Sequence, residues 1–324
     1  MKLIKLGRIA LDGTKVKANA SKHRALSYGH IGRIEKQLRD EVKQLMGMAE
    51  VADRESQPDG MDVPAEIARR EARLKVLAEA KAKIEARAQE RFEQEQQEYQ
   101  GKVARREAQR QAGKKPRGKD PKPPQGGARE RDQINLTDEE SRIMPASDGG
   151  FAQAYNAQAA VDVETMLIVG TAVTQQSNDK QQVAPVLHVL GALPESLGQP
   201  EVLLADAGYF SAANVALCEE AKIEPLIAIR RDAHHLPLME RFADDPAPPA
   251  SPDPVVRMTY QLKTKAGRAL YGLRKSTVEP VFGIIKHVLG FRQFSLRGLA
   301  NVTAEWSLLA LAWNIKRMNV LRGA

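Results

Sequence analysis

Two aspartates each follow a short apolar run and precede a small residue. Asp12 follows Ile-Ala-Leu and precedes a glycine, and Asp206 follows Leu-Leu-Ala and precedes Ala-Gly-Tyr. In open α/β sheets the functional crevice lies at the carboxyl ends of the strands, where side chains from distant positions meet. We therefore predict that Asp12 and Asp206 each end a buried strand and lie near each other. The structural alternative is that each carboxylate caps a turn.

Glu279 is the third candidate carboxylate and lies in a stretch with helical periodicity. One face of this helix is apolar and consists of Val278, Val281, Phe282 and Ile285. The opposite face is polar and carries Tyr271, Lys275, Glu279 and Lys286. Three carboxylates suit two-metal phosphoryl transfer, because hard cations about 3.5–4 Å apart bind oxygen ligands, activate water and stabilise the leaving oxygen. The alternative for Glu279 is a solvated pair with a lysine.

The charge distribution indicates a polyanionic partner. The chain carries 49 Lys and Arg against 41 Asp and Glu, a net charge of +8. The basic excess is concentrated in residues 1–32, 101–131 and 255–324, whereas residues 132–254 are strongly acidic. Basic segments around an acidic centre favour phosphate binding beside concentrated carboxylates. Solvated surface charge is the alternative for any one segment.

Composition excludes several classes of protein. With 42% hydrophobic residues in 324, the chain can build a core, so it is not wholly disordered. Its single cysteine, Cys218, excludes a disulfide scaffold and a cysteine metal cluster and fits a reducing cytoplasm. Its apolar stretches are far shorter than the roughly 20 residues of a spanning helix, and it begins without a signal-peptide pattern. We therefore expect neither a membrane nor a secreted protein.

The first third of the chain predicts a strand, two helices and a loop. A short strand is predicted at residues 7–12, and helical periodicity begins near Ile31. After an interruption at 58–64, a second helix starts near Pro64 and runs toward Gln100. These helices form an antiparallel hairpin, either a packing or spacer arm or a nucleic-acid contact. Residues 101–131 are rich in Lys, Arg, Pro and Gly and predict a mobile basic loop suited to phosphate contacts.

The remainder of the chain predicts an α/β arrangement. Strands are expected as a hairpin at 154–163 and 166–174 and then at 201–205 and 225–229. Helices are expected at 179–193, 211–221, 271–289 and 299–319, with Ser211 as an N-cap and a surface loop at 244–254. In the last helix a group of apolar residues is expected in the core: Trp306, Leu309, Leu311, Trp313 and Ile315.

Other polar residues have competing interpretations. Asp162 is either a fourth metal ligand or, more in keeping with its position, a turn residue. Asn156 and Gln158 share one face of a strand and either border the site or make structural hydrogen bonds. His234 and His235 form a pair without a spaced partner for a zinc site.

Four motifs in this order resemble the DDE transposases of bacterial insertion sequences. They lie at residues 12–20, 155–162, 205–209 and 278–286. The resemblance implies an α/β fold, an RNase H-like mixed sheet flanked by helices, with a long helical-hairpin insertion after the first strand. The implied divisions are the first strand of the catalytic core at 1–30, the hairpin insertion at 31–100, a basic disordered loop at 101–135 and the remainder of the core at 136–324.

The resemblance also implies roles for individual residues. Asp12, Asp206 and Glu279 would form the catalytic, metal-binding triad, with Mg²⁺ or Mn²⁺ as the cofactor. Such enzymes carry a Tyr, Arg, Glu and Lys signature in which six residues separate the Glu from the Lys, as they separate Glu279 from Lys286. Upstream the spacing departs from the signature, so the phosphate-binding position is either Lys275 or Arg274. The implied DNA contacts are Lys286, Lys275, Arg274 and Tyr271, and we add Lys15 because it closely follows Asp12.

Three functions remain open at this point. The first is a transposase that cuts DNA at the element's ends and transfers the strand, as a cytoplasmic, nucleoid-associated homodimer on paired ends. The second is an inactive remnant that only binds DNA, and the third is a metal-dependent nuclease of the same fold. Because Met1 lies only eleven residues before Asp12, we expect that an N-terminal region typical of such enzymes is missing.

Overall fold

The computed structural model describes residues 5–52, 62–113, 115–116, 118–146, 149–230 and 244–323. The chain divides into two compact units. One consists of Met1–Ala20 together with Glu140–Ala324, and the other of Ser21–Glu139. The predicted pair His234 and His235 lies outside the described residues.

The first unit contains a six-stranded mixed sheet. Its strands are β1 (Arg8–Lys17), β4 (Arg142–Pro145), β5 (Phe151–Asp162), β6 (Ile168–Thr174), β7 (Val202–Ala205) and β8 (Glu224–Ile227). The order is β4-β5-β1-β7-β8, and β6 also pairs with β5. Strand β5 pairs antiparallel with its neighbours, whereas β1, β7 and β8 run parallel. The predicted α/β class with a mixed sheet is confirmed.

Helices cover both faces of this sheet. They are α3 (Val183–Gly191), α4 (Ala212–Glu220), α5 (Pro254–Gln261), α6 (Lys265–His287) and α7 (Leu299–Gly323). Alternation along β1 sends Ala10 to a core built with α6 and α7, and Ile9 to a second core built with α3, α4 and α5. Because side chains of one strand alternate between the two cores, the sheet is fixed in register and its edge presents defined residues.

Strand β1 is longer than predicted, and the expectation that Asp12 ends a strand was wrong. The strand continues through Gly13 to Lys17 because the 12-residue β5 pairs with it along Ile9–Lys17. The parallel pairing of β1 with β7, however, stops at Leu11, which is opposite Ala205. Asp12 is therefore the first residue of β1 beyond its parallel neighbour, and Asp206 directly follows β7 as predicted.

The second unit consists of two helices and a small two-stranded sheet. Its elements are β2 (Ala25–Ser27), α1 (Tyr28–Ala52), α2 (Val63–Gln111) and β3 (Gln133–Asn135). The two helices and the small sheet share one apolar cluster, which includes Ile31, Leu77, Ile84 and Ile134. Helix α2 begins where predicted, with the Asp62 carboxylate accepting the Ala65 N–H at 3.1 Å.

Helix α2 ends at Gln111, and the predicted end near Gln100 was wrong. Its last residues are mainly Lys, Arg, Glu, Gln and Ala, which favour a helix, and Glu98 pairs with Lys102 at 3.0 Å. The irregular segment that follows is tied to the helix by ion pairs. Arg91 contacts Asp132 at 3.0 Å, and Arg129 contacts Glu95 at 3.2 Å. These contacts hold part of the segment predicted as a mobile loop.

Most other predicted elements are present with shifted ends. The β5–β6 hairpin, β7, β8 and α3 occur where expected, and the Ser211 hydroxyl caps α4 by accepting the Asn214 N–H at 3.0 Å. Trp306 and Trp313 are buried as predicted. Leu311 and Ile315 are more than half exposed, so their assignment to the core was wrong. Only some of the apolar residues in α7 therefore pack against the core. Among the described residues no helix is long and apolar enough to span a membrane.

Candidate active site

Asp12 and Asp206 lie side by side at one edge of the sheet. Leu11 and Ala205 are partners on the parallel strands β1 and β7, and each aspartate is the next residue along its strand. Adjacent strands are about 4.8 Å apart. Ala10 and Leu204 face the core formed with α6 and α7, and alternation directs Asp12 and Asp206 to that same side. The structure thus brings together the two aspartates singled out in the sequence.

The Asp12 carboxylate is largely buried, with 21% of its side chain exposed. Burial raises the pKa of Asp12 to about 6, and the negative charges of Asp206 and Asp179 add to this rise. A 2.8 Å hydrogen bond from the Gly13 N–H and the guanidinium of Arg274, at 3.2 Å, act in the opposite direction. Burial therefore disfavours the ionised form of Asp12, and a cation beside the carboxylate would reduce this penalty.

Arg274 connects Asp12 with Glu279. Its Nη1 lies 3.2 Å from Asp12 Oδ2 and its Nη2 lies 3.3 Å from Glu279 Oε1. Only 11% of the Arg274 side chain is exposed, against 52% of Glu279. Although burial disfavours its charge, the surrounding carboxylates, led by Asp12, raise the pKa of Arg274. Of the two alternatives, Arg274 contacts the carboxylates, whereas Lys275 lies on the exposed side of α6.

The three remaining residues predicted to contact DNA have different surroundings. Lys286 donates a hydrogen bond to the hydroxyl of Thr14, two residues after Asp12, and burial lowers the pKa of Lys286. Tyr271 is partly buried and packs against the core on the α6 side of the sheet. Lys15 lies beside a further carboxylate, because its ammonium is 3.5 Å from Asp179 Oδ1.

Asp179 is a residue of this site that the sequence did not reveal. Its Oδ1 accepts hydrogen bonds from the amides of Asn156 at 2.7 Å and Gln158 at 2.8 Å, in addition to the contact with Lys15. Gln158 also accepts a hydrogen bond from the Tyr209 hydroxyl. A fixed polar network therefore lies directly behind the edge that carries the aspartates. Both interpretations of Asn156 and Gln158 agree with the structure. Their amides make structural hydrogen bonds to Asp179, and they lie next to the candidate site.

Gly13 marks this network in the sequence, although only in retrospect. A Cβ at Gly13 would lie 2.2 Å from Gln158 Nε2 and 2.8 Å from Asp179 Oδ1. A Cβ at Gly208 would lie 3.5 Å from Asp179 Oδ2. The glycine that follows Asp12 is therefore required by the close approach of the amide network.

Comparison with protein families gives one match. The model of a family described as a transposase DDE domain matches residues 124–315, which is more than half of the chain. The chain belongs to this DDE transposase family. No curated protein and no solved structure matches it. The matched range contains Asp206, Glu279 and Lys286, whereas Asp12 precedes it, so the assignment of Asp12 to the site rests on the sheet geometry.

Membership of this family supports a transposase-type function for the chain in general, and the family implies DNA binding. Members generally use divalent metals, so the fit of the residues to such an ion matters. Within the described ranges no three His, Cys, Asp or Glu side chains form a metal-binding group. Asp12 and Asp206 nonetheless supply the carboxylate oxygens that hard cations prefer, and burial, together with the charge of Asp206, raises the pKa of Asp12. The two aspartates fit a divalent ion, whereas Glu279 contacts Arg274.

Asp162 lies apart from Asp12, Asp206 and Glu279. Its Oδ2 accepts hydrogen bonds from the Thr165 N–H at 2.8 Å and the Thr165 hydroxyl at 2.6 Å. It ends β5 opposite Ile9, near the start of β1, and so lies toward the other edge of the sheet. The interpretation of Asp162 as a turn residue is confirmed.

Proposed function

We propose that this protein is an insertion-sequence DDE transposase that cleaves DNA at the ends of its element and joins the 3′-hydroxyl to target DNA. Asp12, Asp206 and Glu279 are proposed as the catalytic triad. The observation that carries the proposal is the juxtaposition of Asp12 and Asp206 at the sheet edge, with Arg274 connecting Glu279 to the same place. This arrangement concentrates carboxylates at one place in a chain of the DDE family.

The fold assignment belongs to the same proposal. A mixed sheet in which β5 pairs antiparallel with its neighbours and β1, β7 and β8 run parallel, with helices on both faces, supports an RNase H-like core. The unit Ser21–Glu139 follows β1 and precedes β4 in the chain, which supports its assignment as a helical insertion. The four divisions predicted from the sequence stay our proposal, and the compact unit Ser21–Glu139 contains the two of them that cover 31–100 and 101–135.

The proposed mechanism assigns a task to each side chain. Asp12 and Asp206 would hold Mg²⁺ or Mn²⁺, and the bound ion supplies Lewis-acid activation of water and stabilisation of the leaving oxygen. Arg274 holds Glu279 toward Asp12 and limits repulsion between the carboxylates. Lys286, beside Thr14, can donate to a non-bridging phosphate oxygen. Positioning and charge stabilisation of this kind account for most catalysis of phosphoryl transfer.

DNA binding without cleavage is the second candidate function. It is favoured by the Arg274 guanidinium, which contacts both Asp12 and Glu279 and so already supplies positive charge beside two of the three carboxylates. In this case the chain would be a remnant that keeps the fold and binds DNA through its basic segments. For either function we propose the nucleoid as the place of action and a homodimer on paired DNA ends as the assembly.

A nicking assay separates these functions. Labelled duplex DNA that carries the element's ends is incubated with the protein and Mg²⁺ or Mn²⁺, and strand breaks and joined products are resolved on a denaturing gel. We expect metal-dependent nicks that disappear in Asp206→Ala and persist in Asp244→Ala, a variant of a fully exposed carboxylate. Equal cleavage by wild type and Asp206→Ala would refute the enzymatic proposal. Binding without breaks would support the remnant, and breaks without joining would indicate a nuclease.

A further inference from the structure

A basic cleft opens in the unit that contains the sheet. Its volume is about 240 Å³, and five of its lining residues have basic side chains: Lys15, Lys17, Lys286, His287 and Arg292. This volume lies below the range of about 300–1,000 Å³ typical of small-molecule pockets. The cleft is therefore better suited to part of an extended polyanion than to an enclosed metabolite.

The cleft carries positive charge that the described part of the chain leaves uncompensated. Lys17 and Arg292 are exposed, and none of the described carboxylates forms an ion pair with Lys17, Lys286 or Arg292. Burial lowers the pKa of Lys286, the negative charge of Asp12 partly offsets this effect, and the positive charge of Lys15 lowers the pKa further. Cations that repel one another at a surface are stabilised by an anion between them.

The basic side chains stand on a fixed framework. The Lys17 N–H donates to the Arg292 carbonyl at 3.3 Å, and the Phe294 N–H donates to the Lys17 carbonyl at 2.8 Å. The Arg292 side chain is held in turn, since its Nε donates to the Lys286 carbonyl at 3.2 Å and its Nη2 lies 3.1 Å from His287 Nδ1. The end of β1 and the segment after α6 are thus joined, which presents their charges together at little cost in conformational entropy.

The cleft is continuous with the catalytic edge of the sheet. Lys286 lines the cleft and also hydrogen-bonds to Thr14, two residues beyond Asp12 on β1. Lys17 lies five residues beyond Asp12, about 17 Å along a strand. A DNA strand advances about 3.4 Å per phosphate, so this separation corresponds to about five phosphates. Ala152 and Ala154 give the cleft a small apolar wall, against which a sugar can pack.

We propose that the cleft formed by Lys17, His287 and Arg292 beside Lys286 binds the sugar-phosphate backbone of DNA, a few nucleotides from the phosphate that reacts at the carboxylates. This inference rests on the proposed function and assigns a substrate contact outside the triad and its signature. The contacts are with phosphates, so they position the DNA without reading its sequence.

The test compares two double variants of equal charge change. Lys17→Gln/Arg292→Gln removes the exposed cations of the cleft. The control, Lys5→Gln/Lys222→Gln, removes two exposed lysines that precede β1 and β8 at the opposite edge of the sheet. Both are made in the Asp206→Ala background and measured in EDTA. DNA binding is then measured without cleavage. A failure of the catalytic proposal would be detected separately, in the nicking assay.

Fluorescence anisotropy with a labelled duplex is recorded over a range of salt concentrations. The cleft variant should bind unrelated DNA sequences more weakly and to a similar extent, and the slope of log K against log salt should fall by about 2. The control should keep the parent slope. A cleft variant with the control's affinity and slope would overturn the proposal, as would a loss of affinity for RNA but not for DNA. Thermal unfolding checks the fold, and the single variant Lys17→Gln decides the matter if the double variant is unfolded.

Discussion

Asp12→Asn is predicted to stabilise the metal-free protein at neutral and alkaline pH. The structure buries the Asp12 carboxylate between β1 and α6 and raises its pKa from 3.8 to about 6. The native state therefore favours the protonated form more than the unfolded chain does. The contribution of Asp12 to the free energy of unfolding is therefore highest below about pH 4, falls as the pH rises through about 6 and stays low above it.

The expected magnitude follows from that rise in pKa. One pKa unit corresponds to about 1.4 kcal/mol, so the ionised carboxylate costs up to about 3 kcal/mol at alkaline pH. Asparagine is nearly isosteric and keeps an acceptor for the Gly13 N–H, while it loses the charge attraction to Arg274. That attraction is already included in the net rise in pKa. Asp12→Asn should thus gain up to about 3 kcal/mol near pH 8 and little near pH 4.

Urea unfolding in EDTA at these two pH values measures the effect. The matched control is Asp244→Asn, because Asp244 is fully exposed and its replacement should change stability by less than about 0.5 kcal/mol at either pH. Addition of Mg²⁺ should then stabilise the wild type and not Asp12→Asn, since a ligand that binds only the native state raises its stability. Asp12→Asn that is no more stable than wild type at pH 8 would refute the argument from burial.

Two further substitutions test the network behind the site. Gly13→Ala should destabilise the protein by about 1–3 kcal/mol, because the new methyl would lie 2.2 Å from Gln158 Nε2, and a thermal melt unchanged by this variant would contradict the close approach. Asp179→Ala should cost about 2–4 kcal/mol in urea unfolding, since it removes the shared acceptor of the buried Asn156 and Gln158 amides. Asp179→Asn, which keeps an acceptor, should recover part of that loss.

Local patterns were sufficient to predict most elements of the sheet unit. Strands β5 and β7 and the helix with Ser211 at its N-cap follow from apolar runs and capping residues that act over a few positions. The end of β1 could not be predicted in this way. Its extension past Asp12 depends on pairing with β5, whose sequence lies about half the chain away. The end of α2 was predicted too early, because the composition of residues 101–131 as a whole indicates a loop, whereas its first residues are helix formers.

In the candidate site, too, some residues could be predicted from local patterns and others could not. Asp12, Asp206 and Glu279 stood out because a carboxylate after a buried strand or on a patterned helix is visible locally. The burial of Arg274 rather than Lys275 was also accessible, since Arg274 lies four residues before the buried Val278 and shares its face of α6. Asp179 was not accessible, because its role arises only when the sheet brings the amides of β5 against the loop after β6.

The central claim is that Asp12 and Asp206 together hold a divalent cation. Calorimetric titration of Mn²⁺ into the metal-free protein tests it without a need for the DNA substrate, with Asp12→Asn and Asp206→Asn as variants and Asp244→Asn as the control. The account predicts that wild type and control bind Mn²⁺ and that each site variant binds at least about tenfold more weakly. Binding that both site variants retain at full strength, or a wild type that binds no Mn²⁺, would contradict it.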